Sequence, residues 1–531
     1  MAKFVTSKPS MSNSLLILND DRTTQLGITE KYDLKVWPVT NILNDGPINF
    51  VVPPQSKGMM EDIYIHTKIK IQKNGEDINE RMKDLSVVNN FANSLWSGLS
   101  IELDDRIDIT QSKARAYCYS TFFNHALNSD PDRVDYLLYN EMFLMDVART
   151  KVMEEEARDF WIWNHKIDRQ LIDLIPDYSD KEKKIKNTSA AKRKILEDAK
   201  MEIWQHGPED TSSLVDLLNA KIIGQGYDRQ DEKILSLLDD IWVPNKVNPS
   251  SAERSKWILN GQSISLCSKL QCPLFNSKKS LPTNMKIRLS LTKNDSKFLL
   301  LSNSDSDYNV FIEDCFLTVT YERPRDEYLL ELEKEIIKNP VPYTIQNPEI
   351  IVKPIPNAGQ IIRVTDIFHD KLPPFAFFCL QNSKDFEGTY QSNPYVFIPF
   401  KTFQFFIDGA PYFKDPLEVA NVTQLGLHHY EYTEFGDYLR QLYKTIGKDL
   451  KGGSLINSKN FQLNFMVGMS FGADKCPINA GHLNLQQKAS TFLEIDLGIS
   501  EGIPQDMVLI VYALHDRQIL IDAERKIQII E

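Results

Sequence analysis

Apolar and polar residues alternate in several short runs along this chain, with the two-residue period of a strand. In "DIYIHTKIKIQKNGEDI" the residues Ile63, Ile65, Ile69 and Ile71 alternate with polar neighbours, and Asn74-Gly75 is a hairpin signal. Leu99, Ile101 and Leu103 repeat the pattern up to Asp104-Asp105. Met285, Ile287, Leu289 and Leu291 do so again, then Cys315, Leu317, Val319 and Tyr321, where Pro324 stops the run. From Ile350 onward the chain reads as strand to its end. Short candidates over 395–400, 402–407, 461–466, 492–497 and 507–514 are separated by Gly, Pro, Asn and Asp clusters.

A helical period interrupts this pattern three times. Tyr119, Phe122, Phe123, Ala126 and Leu127 share one face of a short helix. Residues 154–206 are rich in Glu, Lys, Asp and Ala. Phe160, Trp163, Ile167, Leu171 and Ile175 form one stripe there, ended by Pro176, and Ile185, Ile195, Leu196, Ala199 and Ile203 suggest more helix. The stripe is too short for several heptads, so a solvated helical insertion in a β domain is expected rather than a coiled-coil partner site. Finally, "RDEYLLELEKEIIK" over 325–338 is a charged amphipathic helix, and Asn339-Pro340 ends it.

Both halves close on the same sequence of features: an alternating strand, a polar loop and a longer apolar strand ("MKIRLSL…FLTVTY" and "TFLEIDL…MVLIVYAL"). Two copies of one fold are therefore expected. The reading divides the chain into a polar arm over 1–45, a first β unit over 46–324 with the helical insertion, a linker helix over 325–345 and a second β unit over 346–531. Many short strands with long loops fit sandwiches of two antiparallel sheets, and the jelly roll is the form in which long loops leave one end.

Composition sets limits on function. At 531 residues the chain exceeds what one core usually fills, which agrees with two domains. The net charge of −12 argues against gripping nucleic acid through its phosphates as the main task. Residues 1–14 have no apolar core of a signal peptide, and the apolar run 507–514 is far short of the roughly 20 residues that cross a bilayer. Cys118, Cys267, Cys272, Cys315, Cys379 and Cys476 are scattered with no Cys-x-x-Cys, so reduced, mostly buried thiols in a protein made inside a cell are expected. Without a signal peptide, the Asn-x-Ser/Thr triplets at Asn187, Asn294 and Asn421 read as chance.

The chain carries few motifs of known chemistry. The chain has no Walker-type phosphate loop, no Gly-x-Ser-x-Gly and no His-Glu-x-x-His. Gly224-Gln225-Gly226 lacks the third glycine of a dinucleotide fingerprint. His428-His429 is the only histidine pair, and adjacent strand residues face opposite ways, so the two cannot chelate together from one strand. Asp104, Asp105, Glu494 and Asp496 read as solvated surface. No catalytic, cofactor-binding or metal-binding residue is expected, and a structural or binding role is favoured over catalysis.

The densest aromatic stretch, "LPPFAFFCLQNSKDFEGTYQSNPYVFIPFKTFQFFIDGAPY" over 372–412, remains to be explained. Leu372-Pro373, Gly388, Asn393-Pro394-Tyr395, Phe397 and Asp408-Gly409 resemble a segment of the major capsid (hexon-like) protein of Maverick/Polinton elements and adintoviruses. "VVNNFANSLWSGLSIELDD" over 87–105, with Trp96 where that family usually has Phe, resembles an early strand of the same proteins. "KLQCPLFNSKKSLPTNMKIRLSLTKNDSKFLL" and "FLEIDLGISEGIPQDMVLIVYALHDRQILID" resemble the end of its first barrel and its C-terminus. The insertion 154–206 has no counterpart in that resemblance.

The resemblance implies a mainly β double jelly roll with helical insertions. It implies homotrimers forming pseudo-hexagonal capsomers, an icosahedral shell around double-stranded DNA and a place in the virion. Neighbouring capsomers and a minor capsid (penton) protein would be the partners, with no cofactor, no membrane insertion and no sequence-specific nucleic-acid binding. On this reading the aromatics are inter-sheet and inter-barrel core. The rival readings are a minor capsid protein, a lectin-like or cell-surface β-sandwich, which needs exposed Trp and Tyr on a concave face, and a jelly-roll enzyme, which needs a convergent pocket. The arm carries Lys3 and Lys8, no acidic residue before Asp20, and one apolar run over 14–18. It is expected to be disordered alone and to order on a neighbouring capsomer or minor capsid protein.

Overall fold

The structure is a computed structural model that describes residues 27–146 and 249–530, with short exceptions inside both spans, the longest being 420–434. The expected helical insertion and the first 26 residues of the expected arm lie outside the described residues. In the first half the main strands are β1 (Ile28–Val36), β2 (Ile48–Val52), β3 (Met59–Lys73), β4 (Trp96–Leu103), β5 (Arg106–Gln111), β6 (Ile264–Lys269), β7 (Ile287–Lys293) and β8 (Tyr308–Pro324). They form two antiparallel sheets, β1-β8-β3-β6 and β2-β7-β4-β5.

The second half repeats this order. Its strands are β9 (Val341–Ile355), β10 (Ile361–Thr365), β11 (Phe375–Asn382), β12 (Thr402–Ile407), β13 (Ala410–Pro411), β14 (Val467–Ser470), β15 (Thr491–Asp496) and β16 (Met507–Ile521). The sheets are β9-β16-β11-β14 and β10-β15-β12-β13, with Leu417–Glu418 also paired to β12. In each half the first, eighth, third and sixth strands make one sheet, and the second, seventh, fourth and fifth make the other. That order is the jelly roll, so the chain is a double jelly roll. Four helices of eight or more residues complete the described residues: α1 (Ala116–Asn128), α2 (Pro249–Lys256), α3 (Asp326–Lys338) and α4 (Gly436–Ile446).

The alternation seen in the sequence becomes the inner face of each sandwich. Ile63, Ile65, Ile69 and Ile71 on β3 are buried, as are Ile287, Leu289 and Leu291 on β7. Asn74 (φ 53°) and Gly75 (φ 80°) make the tight turn after β3, and Asp408 (φ 49°) with Gly409 (φ 80°) makes the one after β12.

Four expectations are corrected. Part of the expected arm is β1, a charged strand at the edge of its sheet, whose polar sequence ITEKYDLKV hides its period. The second unit's first strand starts at Val341, not Ile350. Pro342, Pro348 and Pro354 are tolerated because β9 is an edge strand pairing only with β16, and their even spacing puts all three on one side of the ladder. Residues 395–400 are irregular rather than strand, held by Phe397 N donating to Leu463 O and Ile398 N to Leu380 O. Residues 461–466 are likewise not strand; the strand there is β14, beginning at Val467.

Candidate functional site at the junction of the two halves

Helix α1 carries a buried aromatic face made by one half for the other. From Ala116 to Leu127 every residue except Asn124 is buried, an all-round burial beyond the one apolar face that its sequence shows. Phe122 stacks on Tyr395 with centroids 4.4 Å apart, and Phe123 stacks on Phe397 at 5.7 Å and on Tyr512 at 5.2 Å. Tyr119 stacks on Phe386 at 5.6 Å and meets Tyr395 edge-on at 5.5 Å. The opposing strand β11 is buried on both faces. Phe378 packs inward on Phe403 and Phe405, whereas Phe377 and Gln381, of the other parity, meet Tyr512 and Tyr119.

The polar ends of these rings are satisfied across the junction. Tyr119 Oη donates to Gln381 Oε1 or Pro394 O, each 3.0 Å away, and Gln381 Nε2 donates to Pro394 O at 2.8 Å. Tyr395 Oη and Ser94 Oγ are 2.6 Å apart. Burial holds the Tyr119 and Tyr395 hydroxyls well above the usual phenol range, so both stay neutral. At the end of α1 the Ala126 carbonyl, one of the orphans of a helix C-terminus, accepts from Leu455 N and Ser454 Oγ at 3.0 Å. At its start, Arg115 donates to the Glu387 carbonyl and sits over the Phe298 ring at 4.6 Å. Gly388 follows with φ +80°, and a Cβ there would lie 2.8 Å from Phe298 Cα, so only glycine fits.

Beside the rings lies a buried ion pair. Arg254 on α2 and Asp146, both 0 % exposed, are 2.9 Å apart. Arg254 also donates to Val87 O and Leu144 O. The second carboxylate oxygen of Asp146 accepts from Asn393 Nδ2 at 2.8 Å, and its backbone carbonyl accepts from Asn464 Nδ2 at 3.0 Å. One carboxylate therefore joins the two halves. Nearby, Asn90 donates to Thr121, and Asn93 donates to Asn90 and to Glu141 Oε2 at 2.6 Å.

The two motifs singled out in the sequence thus face each other: Asn89 to Ser94 from one, Asn393-Pro394-Tyr395 from the other. The aromatics Phe375, Phe377, Phe397, Phe403 and Phe405 are fully or almost fully buried, so they offer no sugar-binding face. Sequence reasoning missed Asp146 and Arg254, because an isolated Asp and an Arg 108 positions later carry no pattern.

The carboxylates read as surface are placed individually. Asp104 (φ 47°) caps the Lys286 amide; Glu494 pairs with Arg363 at 2.8 Å; Asp496 accepts from the Gly498 amide. They do not come together. Asp105, Gly224, Gln225, Gly226, His428 and His429 have no described side chains. All six cysteines are free.

No family model and no curated protein matches the chain. Among solved structures it is similar to a chain in the cryo-EM structure of the Sputnik virophage, at 11 % identity and a TM-score of 0.54, over 99 % of this chain and 93 % of that one. That likeness is one of fold, the double jelly roll. Alignments also exist with the Faustovirus major capsid protein (8 % identity, TM-score 0.49, 98 % and 96 % covered) and the mavirus major capsid protein (9 %, 0.48, 99 % and 95 %).

Proposed function

We propose that this chain is a major capsid protein whose copies trimerise into pseudo-hexagonal capsomers and tile an icosahedral shell around double-stranded DNA. The carrying observation is the repetition of one eight-stranded jelly roll twice in a chain, welded by a buried aromatic and polar junction. Three such chains present six similar barrels around an axis while needing only closed threefold symmetry. The likeness in fold to a chain of a virus particle supports the reading, and so do the motifs over 87–105 and 372–412. Those motifs favour the Maverick/Polinton and adintovirus line.

On this reading the first barrel ends at Pro324, the linker expected over 325–345 shortens to α3 and its flanks over 325–340, and the second barrel begins with β9 at Val341. Tyr328, Leu330 and Ile337, exposed on α3, supply apolar surface for a neighbouring copy to cover. The segment ahead of β1 is assigned to contacts with neighbouring capsomers or a minor capsid protein. The protein's place is the virion, and its role is structural rather than catalytic.

Light scattering on the expressed full chain tests the proposal. The expected mass is three times 61.2 kDa, with a pseudo-hexagonal outline by negative-stain electron microscopy and an interface above the roughly 2,000 Å² of permanent contacts. A monodisperse monomer at micromolar concentration overturns it.

A further inference from the structure

The loop between β14 and β15 holds a cluster that the junction does not use. Asp474, Cys476 and His482 lie in "GADKCPINAGHLN", and their donor atoms are all within 4.8 Å of one another. Cys476 Sγ is 3.4 Å from His482 Nε2, and Asp474 Oδ2 is 3.2 Å from the same nitrogen. Asn484 Oδ1 lies 3.8 Å from the Cys476 sulfur.

Asn484 is oriented from behind. Its backbone N and its Nδ2 both donate to Asp516 Oδ2, at 2.9 and 3.0 Å, and Asp516 is a buried carboxylate of β16. With the amide nitrogen held there, the carbonyl oxygen is turned to the thiol. Gly472 lies against that oxygen, where a side chain would displace it. Asp474 is fixed as well, because its other oxygen accepts from the Cys476 amide at 3.1 Å.

Two chemistries use a Cys, a His and an Asp. A nucleophilic relay sets the thiol on one ring nitrogen and the carboxylate on the other. Here both face Nε2, and burial together with the Asp474 carboxylate pushes the Cys476 thiol up, the opposite of activation. A chelate instead needs donors converging on one point. Tetrahedral zinc, with bonds of about 2.0–2.3 Å, spaces its ligand atoms about 3.3–3.8 Å apart. The separations of 3.4, 3.2 and 3.8 Å have that size.

We propose that Asp474, Cys476 and His482 bind a zinc-class divalent cation, with Asn484 Oδ1 as the fourth ligand. The mixed sulfur, nitrogen and oxygen donors suit zinc over magnesium or calcium. Binding takes up the thiolate and releases the Cys476 proton to solvent, and one thiolate with one carboxylate balances the dication. The cation would fasten the β14–β15 loop to β16 through the Asn484–Asp516 contact. The spacing Asp-x-Cys-x5-His-x-Asn is neither His-Glu-x-x-His nor Cys-x-x-Cys, so it carries no familiar metal-binding pattern in the sequence.

Cobalt(II) titration of the full-length chain provides the test. The expected result is a thiolate-to-cobalt charge-transfer band saturating at one equivalent, bleached by zinc, with a melting temperature raised by zinc and lowered again by EDTA. Cys476→Ser should lose the band. His482→Ala, at an exposed position where folding is not at stake, should weaken binding by at least the roughly 10–100-fold seen for outer-shell losses. No band in the parent protein, a band retained in Cys476→Ser, or unchanged affinity in His482→Ala overturns the proposal.

Discussion

Asp146 shows how a single side chain can fix the way two barrels meet. A buried ion pair is weak evidence of net stability, because desolvation offsets much of the attraction. Its geometry is still selective: one oxygen takes Arg254 of the first half and the other takes Asn393 of the second. A slipped docking would leave the second oxygen of that buried carboxylate without its Asn393 donor, while the Arg254 pair within the first half stayed intact. Asp385, next in the chain to the Phe386 whose ring stacks on Tyr119, gives a residue-scale prediction. Burial raises its carboxyl from 3.8 to about 6. The folded state therefore holds the proton more tightly than the unfolded chain does. The stabilisation is complete below about pH 4 and is lost as pH rises through about 6, at most about 3 kcal/mol in all. Asp385→Asn, which mimics the protonated acid, should melt above the parent protein beyond about pH 7 and level with it below about pH 4. A melting difference that does not vary with pH contradicts this. Of these residues only Asn393 was legible in the sequence, through its Pro and Tyr neighbours. Asp146 and Arg254 gain their meaning from contacts far along the chain, and Asp385 from its burial, which its polar neighbours in sequence do not announce.

At the scale of elements, periodicity was informative where one face of an element meets solvent. β3, β4, β7 and β8 alternate, and each was readable. β11 is buried on both faces, so it reads as an unbroken apolar run; 395–400 shares that composition without being strand, and 461–466 (FQLNFM) alternates without being one. Edge position disguised β1 with charge and β9 with proline. Helix α1 was found from five residues on one face, the face that meets the second half through Tyr119, Phe122 and Phe123, yet its other side is buried within the first half, where Thr121 accepts from Asn90 and Tyr117 accepts from the Gln271 amide, and no local pattern announces that. Phe122 is the test of its role. It is fully buried and touches Tyr395, Phe397 and Phe143. Phe122→Ala should destabilise the protein by about 3–5 kcal/mol, measured by denaturant unfolding. A loss below about 1 kcal/mol would mean the junction is loosely packed and α1 is not its centre.

For the molecule as a whole, the question is whether two copies of one fold are two independent domains. Inter-domain contacts within a chain are usually modest and polar, so relative motion is the default. This junction departs from that default. Tyr119, Phe122 and Phe123 of the first half and Tyr395, Phe397 and Tyr512 of the second are at most 3 % exposed, and one continuous apolar core runs through both halves. Parting them would expose at least those six rings, each worth about 1.5–3 kcal/mol when buried, together with the Asp146–Arg254 pair that Asn393 completes. The two jelly rolls should therefore fold and unfold as a unit. Calorimetry of the intact chain should show one transition with equal calorimetric and van't Hoff enthalpies. Expressed separately, residues 1–338 and 339–531 should each aggregate or bind a hydrophobic dye, and co-expression should restore soluble protein. A lectin-like module predicts the reverse, an isolated half that is soluble, monomeric and active in binding. A second half that stands alone with native circular dichroism and one sharp melting transition would show that the junction is a surface contact between independent domains.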